Sequence, residues 1–168
     1  MNLDDIQSGS LCVADTNVLL YAEQGVSQQC QRLLRRCATG EIILSLPQTV
    51  WHELCHKLML AEAMMAGKVT GPGPASKLAR RPEVIKGLGL YMQKLTALVH
   101  LGLGFEPCAR EDFFDTAFAY QKKYGLLTND SLILAAAVRL KADVLATADM
   151  AFQHIQELPV AMPSDIPP

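Results

Sequence analysis

Four acidic residues occupy positions from which one divalent-metal site could be built. They are Asp15, Glu53, Asp130 and Asp149. Two of them follow predicted strands and two lie near the starts of predicted helices, and in a parallel α/β sheet such positions meet at the carboxyl edge of the strands. Carboxylates that lie close together raise each other's pKa, and a divalent cation removes that conflict. Mg²⁺ and Mn²⁺ prefer oxygen ligands of this kind.

Two such ions about 4 Å apart can activate water and stabilise the leaving oxygen of a phosphodiester. We therefore predict that one or two Mg²⁺ or Mn²⁺ ions bind here and that all four acids are ligands and catalytic residues. Asp15 and Asp149 are predicted to be the main ligands, and the other two acids to complete the site. Asn17 and Thr147 are predicted to support the acids through hydrogen bonds.

Each of these residues also has a purely structural interpretation. A helix dipole favours an acid at the position of Asp130, and Asp149 suits an N-cap or a turn. Asn17 and Thr147 fit a cap and a strand end equally well. Asp15 is harder to explain in this way, because it ends an apolar run and a buried charge needs a partner. The convergence of the four acids favours the metal site.

The elements that position these residues alternate between strands and helices. Strands are predicted over 11–14, 41–45, 103–107, 143–147 and about 158–162, and helices over 27–38, 47–66, 83–100, 110–123 and 129–141. A Gly- and Pro-rich loop is predicted over 67–76. The alternation predicts a parallel α/β sheet, and the continuously apolar strands fit a sheet covered on both faces. The length of 168 residues favours one domain over 1–168.

The charges are unevenly distributed along the chain. The net charge is −2, yet residues 57–94 hold seven bases and two acids. We predict that a basic helical and loop insertion at about 62–94 holds RNA phosphates through Arg80 and Arg81; a solvated loop is the equal alternative. The apolar side chains Leu58, Met59, Met64 and Met65 are expected to pack in the core or, alternatively, to bind a second copy or another protein.

The cysteines and the opening residues bear on the compartment. The five cysteines include no Cys-x-x-Cys pair, and their number is odd, so neither a disulfide framework nor a zinc ribbon is indicated. The opening MNLDDIQSGS is acidic and polar, unlike a secretory signal. We expect a cytoplasmic protein without a membrane segment.

Three segments of the sequence resemble the PIN domain family. LCVADTNVLL is similar to the family's opening strand and its Asp, and PQTVWHEL to its second acidic element. LLTNDSLILAAAVRLKADVLATADMAF is similar to its closing segment, in which an Asp starts an Ala-rich helix and a strand leads to Thr-x-Asp and Phe. Together these matches span about 11–153.

The resemblance implies a three-layer α/β/α fold with a five-stranded parallel sheet and a metal-dependent nuclease activity, usually on RNA. The family includes the VapC-type toxins of bacterial toxin–antitoxin modules, which are short single domains. The chain is therefore expected to be an endoribonuclease toxin with an RNA substrate. An antitoxin protein and a second copy of the chain are candidate partners.

Two other functions remain open from the sequence. His52-Glu53-Leu54-Cys55-His56 matches the H-E-x-x-H motif of zinc proteases, in which two histidines bind zinc and the Glu is the general base. The extended motif would need glycine at position 59 and histidine at position 62, where this chain has Met59 and Glu62. The second alternative is a non-catalytic, PIN-like protein that binds nucleic acid.

Overall fold

Five short parallel strands form the centre of the computed structural model, which describes residues 1–166. The strands are β1 (Leu11–Ala14), β2 (Ile43–Pro47), β3 (Gly104–Glu106), β4 (Val144–Ala146) and β5 (Val160–Ala161). Their order in the sheet is β3-β2-β1-β4-β5, so the first strand lies in the middle. This confirms the predicted α/β fold with a five-stranded parallel sheet. The last two residues of the predicted domain, Pro167 and Pro168, lie outside the described range.

Helices connect and cover the strands. They are α1 (Thr16–Glu23), α2 (Gln28–Ala38), α3 (Gln48–Met65), α4 (Pro74–Ala79), α5 (Pro82–Gly87), α6 (Leu90–His100), α7 (Ala117–Tyr124) and α8 (Thr128–Arg139). A π-helical turn, Asp112–Thr116, leads into α7. The main core buries side chains from both helices and strands, among them Leu19, Leu44, Leu134, Leu145 and Phe152. No helix within residues 1–166 is both long and apolar enough to cross a membrane.

The structure differs from the predicted elements at four places. Helix α4 begins at Pro74, inside the predicted loop 67–76, because proline suits the first turn of a helix. Helix α1 was not predicted, although Asp15 caps it at its first residue. Strand β2 begins two residues later than predicted, because the backbone N–H groups of Glu41 and Ile42 donate hydrogen bonds to the backbone oxygen of Arg36 in α2 instead of pairing with a strand. The predicted helix 83–100 is two helices, α5 and α6, with an extended residue, Leu88, at the break.

The segment between α3 and α6, which we call the arm (67–89), has an apolar cluster of its own. Ala63, Val69, Leu78, Val84 and Leu88 pack together there, apart from the main core. The short helices α4 and α5 therefore rest on the end of α3 that is distant from the sheet. The expectation that Met64 and Met65 pack in the core is wrong, since 46% and 82% of their surfaces are exposed.

Glu62 fixes the return of the chain from the arm. Its carboxylate accepts hydrogen bonds from the backbone N–H groups of Gly89, Leu90 and Tyr91, at 2.9, 3.1 and 2.8 Å. These groups open α6 and would otherwise lack partners in the helix. Partial burial raises the pKa of Glu62, but the three backbone donors, together with Lys94, outweigh it and hold the pKa below its usual value.

We expect Glu62→Ala to lower the free energy of unfolding by about 1 kcal/mol, the usual effect of losing a helix N-cap. Glu83→Ala is the matched control, because Glu83 is an exposed acid of the same arm whose ion pair is with Arg81. Urea unfolding followed by the fluorescence of Trp51, the single tryptophan, measures both. Equal stability of the two variants would contradict the capping role.

Candidate active site

Asp15 lies at the carboxyl end of the central strand with only 5% of its surface exposed. It follows β1 directly and is the N-cap of α1. Its Oδ1 accepts a hydrogen bond of 2.6 Å from the backbone N–H of Thr16. Its Oδ2 accepts one of 3.0 Å from the hydroxyl of Thr147. Both oxygens of this nearly buried carboxylate are thus held in fixed directions.

Thr147 links Asp15 to Asp149. It is fully buried just past β4, which pairs with β1 through Ala14 and Ala146. While its hydroxyl donates to Asp15, its Oγ1 accepts a hydrogen bond of 2.9 Å from the backbone N–H of Asp149. Two acids that are far apart in the sequence are therefore joined through one threonine.

Asp149 starts a short 3₁₀ turn, Met150–Phe152, and is partly exposed. Its Oδ1 accepts a hydrogen bond of 2.8 Å from the backbone N–H of Ala151, which leaves Oδ2 as the oxygen without a capping bond. Phe152 is fully buried and anchors the turn to the core. The Thr-x-Asp-x-x-Phe pattern therefore serves to present one carboxylate at the edge of the sheet.

Glu53 reaches the site from the second turn of α3. Its Oε2 accepts a hydrogen bond of 3.2 Å from the hydroxyl of Thr16. Its Oε1 lies 2.7 Å from the Nζ of Lys57, one helical turn further along. Thr16 therefore bridges two acids, since its backbone binds Asp15 and its side chain binds Glu53.

Asp130 lies in the first turn of α8 and is half-buried. Burial, together with the charges of Asp149, Asp15 and Glu53, raises its pKa to about 6. Burial also raises the pKa of Asp15, to which Glu53 and Asp149 contribute, while the hydrogen bonds from Thr147 and Thr16 oppose the rise. The structure thus places all four predicted acids within electrostatic reach of one another.

The donor set at this edge suits a hard divalent cation. It consists of carboxylates that repel one another, and hard cations bind through such oxygens. Within residues 1–166 no three His, Cys, Asp or Glu side chains are arranged to hold one ion as they lie. Carboxylates repel one another over several ångströms, whereas a Mg²⁺ ion must lie about 2.1 Å from each oxygen that binds it. Binding an ion therefore requires the carboxylates to rotate inward.

The other residues singled out in the sequence lie apart from these contacts. Asn17 is half-buried in the first turn of α1, and within the described part of the chain its side chain makes no hydrogen bond. His52 and His56 are exposed on α3, and no third ligand joins them within residues 1–166. The carboxylate of Glu53 contacts Thr16 and Lys57 rather than a histidine.

Arg80 and Arg81 lie on the arm. The Nη1 of Arg81 donates to the backbone oxygen of Lys68 at 2.5 Å, and its Nε lies 3.2 Å from Glu83. Arg80 is exposed. Because ten residues of α3 separate Glu53 from Ala63, the apolar cluster on which the arm packs begins about 15 Å along the helix from that acid.

Sequence reasoning missed two residues that touch the acids, Thr16 and Lys57. A hydroxyl residue directly after an N-cap acid is a usable signal, because it faces the same end of the sheet. Glu53 and Lys57 have the i,i+4 spacing that brings side chains together on a helix. Both signals were present in the sequence, but neither indicates by itself which partner the side chain binds.

The family model for the PIN domain matches residues 12–158. The chain belongs to the PIN domain family. This PIN domain superposes on the VapBC2 complex of Rickettsia felis, solved with a promoter DNA fragment, with a TM-score of 0.58 and 17% identity over 90% of this chain and 98% of that chain. A toxin–antitoxin complex from Klebsiella pneumoniae gives a TM-score of 0.56 and 17% identity over 88% and 94%. No curated protein matches this PIN domain in sequence.

The raised pKa of Asp130 makes stability depend on pH when no divalent ion is present. Its pKa is about 6 in the fold against an ordinary value of 3.8, so the folded state binds the proton more tightly than the unfolded chain. Stability should therefore fall as the pH rises from about 4 to about 6. After allowance for solvent screening of a half-buried group, Asp130→Asn should raise the free energy of unfolding by on the order of 1 kcal/mol at pH 7.5.

Thermal unfolding in EDTA across this pH range measures the effect, with Asp115→Asn as the control at an exposed acid. The Asp130→Asn variant should lose much of the pH dependence, whereas the control should keep it. A pH dependence that is the same in both variants would contradict the electrostatic coupling.

Proposed function

We propose that this PIN domain is an endoribonuclease that hydrolyses RNA phosphodiesters with one or two Mg²⁺ or Mn²⁺ ions. The observation that carries the proposal is the gathering of four carboxylates at the carboxyl edge of the sheet, where Thr147 joins Asp15 to Asp149 and Thr16 joins Asp15 to Glu53. Burial and the charges of the other three acids together raise the pKa of Asp130 to about 6. Such an arrangement destabilises the protein unless a cation relieves it. Membership of the PIN domain family supports a nuclease.

The chain's own residues would divide the work. Asp15 and Asp149 would hold the ion as main ligands, and Glu53 and Asp130 would bind it directly or through water. When bound, a divalent ion lowers the pKa of a water molecule and neutralises charge on the phosphate. Thr147 and Thr16 would keep the oxygens of Asp15 in place, so that the reordering needed for ligation would fall on the other three acids.

We further propose that the protein is the toxin of a bacterial toxin–antitoxin module. The two solved structures described above are a VapBC2 complex and a toxin–antitoxin complex. An antitoxin protein is then the expected partner. The RNA that is cleaved has to be identified by experiment. A short neighbouring gene for a DNA-binding protein, able to suppress the toxicity of this chain on co-expression, would support this assignment.

Asp15→Asn should reduce Mg²⁺-dependent RNA cleavage at least about 100-fold, because it removes a ligand charge from the centre of the site. The amide oxygen can still cap Thr16, so the fold should survive, as circular dichroism would show. His52→Ala and His56→Ala are the controls and should cleave RNA like the parent protein. If the parent protein showed a zinc-restored peptidase activity that both histidine variants lost, the protein would be a metalloprotease and not a nuclease.

Intact metal and RNA binding without any cleavage would instead favour a non-catalytic PIN-like protein. To exclude a trace contaminant, the cleavage assay should compare the parent and Asp15→Asn from identical preparations. Cleavage that is equal in both would contradict the proposed active site.

We propose that the arm holds RNA phosphates, with Arg80 and Arg81 as the candidate residues. Arg80 is exposed, whereas Arg81 binds Lys68 and Glu83 within the arm. Arg80→Ala should therefore flatten the salt dependence of RNA binding by about 0.7 without a change in stability. Arg81→Ala should lower the thermal stability as well. RNA affinity at several salt concentrations, on the Asp15→Asn background, tests this; unchanged slopes would leave the arm as a solvated surface.

A further inference from the structure

Lys57 is the one cation in residues 1–166 that forms an ion pair with the acidic cluster, and it does so at one atom. Its Nζ lies 2.7 Å from Oε1 of Glu53, and 38% of its side chain is exposed. The other three acids form no ion pair with a base in that part of the chain. A single positive charge therefore sits at the rim of a group of carboxylates that otherwise have none.

An ordinary surface pair would explain the spacing of these two residues. Glu and Lys at i and i+4 attract each other and slightly stabilise an isolated helix. The position of Glu53 makes this pair different. Its second oxygen is already held by the hydroxyl of Thr16, which also donates its backbone N–H to Asp15. The ammonium of Lys57 is therefore bound to the very carboxylate that Thr16 ties to the centre of the site.

The ammonium and a divalent ion cannot both neutralise Oε1 of Glu53. Two cations at such a short distance repel each other strongly, so a divalent ion that bound Glu53 would displace the ammonium of Lys57. The flexible stem of a lysine lets its ammonium swing by several ångströms while the helix stays in place. The displaced charge would remain at the mouth of the site, on the solvent side of the acids, where a polyanionic substrate must approach.

We infer that Lys57 is a phosphate-binding residue of the active site, held on Glu53 until a divalent ion takes its place there. The ligand is a backbone phosphate of single-stranded RNA next to the scissile bond, which a lysine binds as a point charge. The inference rests on the proposed ribonuclease function and adds a residue to it. Lys57 thus competes with the metal ion for the carboxylate of Glu53 and, once displaced, binds a phosphate of the substrate.

Lys57→Gln separates this role from that of a surface pair, because it should change two affinities in opposite directions. Mn²⁺ should bind more tightly, on the order of fivefold, since a competing cation is gone. Single-stranded RNA should bind more weakly, and the slope of log affinity against log salt should become shallower by about 0.7, the value for one lost phosphate contact. Lys57→Arg should retain most of the RNA affinity.

The matched control is Lys94→Gln. Lys94 forms an ion pair of 2.5 Å with Glu23, and its side chain is 34% exposed, so the same charge is lost from a similar environment away from the acids. Mn²⁺ binding is measured by electron paramagnetic resonance of the free ion, without RNA. RNA binding is measured by fluorescence anisotropy with a labelled, cleavage-resistant oligonucleotide in saturating Mn²⁺ and with Asp15 intact, because the ion must be bound for Lys57 to leave Glu53.

The outcomes divide cleanly. Tighter Mn²⁺ binding with weaker RNA binding in Lys57→Gln alone supports the inference. Equal behaviour of Lys57→Gln and Lys94→Gln, in a protein that binds Mn²⁺ and cleaves RNA, overturns the role of Lys57 and leaves the ribonuclease intact. Loss of both affinities in Lys57→Gln would make it a structural support for Glu53 and also overturns the inference. A parent protein that neither binds Mn²⁺ nor cleaves RNA overturns the proposed function itself.

Discussion

A carboxylate nearly closed off from water in the middle of the sheet is the constraint on which the site depends. A buried charge is tolerated only when hydrogen bonds or counter-charges replace the water it has lost. Asp15 obtains them from the start of α1 and from Thr147 beyond β4. Each of these donors in turn fixes another acid, Glu53 through Thr16 and Asp149 through Thr147. The solvation of one side chain thus organises the edge of the sheet.

The same contacts explain what the sequence could predict. The four acids could be placed at one edge from strand–helix alternation alone, because the topology of a parallel sheet decides where its strands end. Helix α1 was missed, since its start coincides with the Asp15-Thr16-Asn17 stretch that marks the end of the strand. Thr16 contacts Glu53 across two elements, which no local pattern specifies. Lys57 contacts Glu53 within α3, as the i,i+4 spacing allows, but only the fold brings this pair beside the other acids.

Charge counted along the chain proved a poor guide to charge in space. Residues 57–94 carry seven bases, but Lys57 pairs with Glu53, Lys94 with Glu23 and Arg81 with Glu83. The basic segment is thus distributed over a helix rim, a helix–helix contact and a loop. Similarly, an apolar residue type did not ensure burial, because Met65 lies at the end of α3, past the last turn that faces the core.

The arm's separate apolar cluster makes it a distinct cooperative unit. Its packing partners lie almost wholly within the arm and the end of α3, and Glu62 holds its exit. Units of this kind open without the rest of the protein, so amide hydrogens of α4 and α5 would exchange with solvent long before those of β1. For the same reason, residues can be gained or lost between α3 and α6 without shifting a strand, which leaves the geometry of the acidic edge insulated from changes in this region.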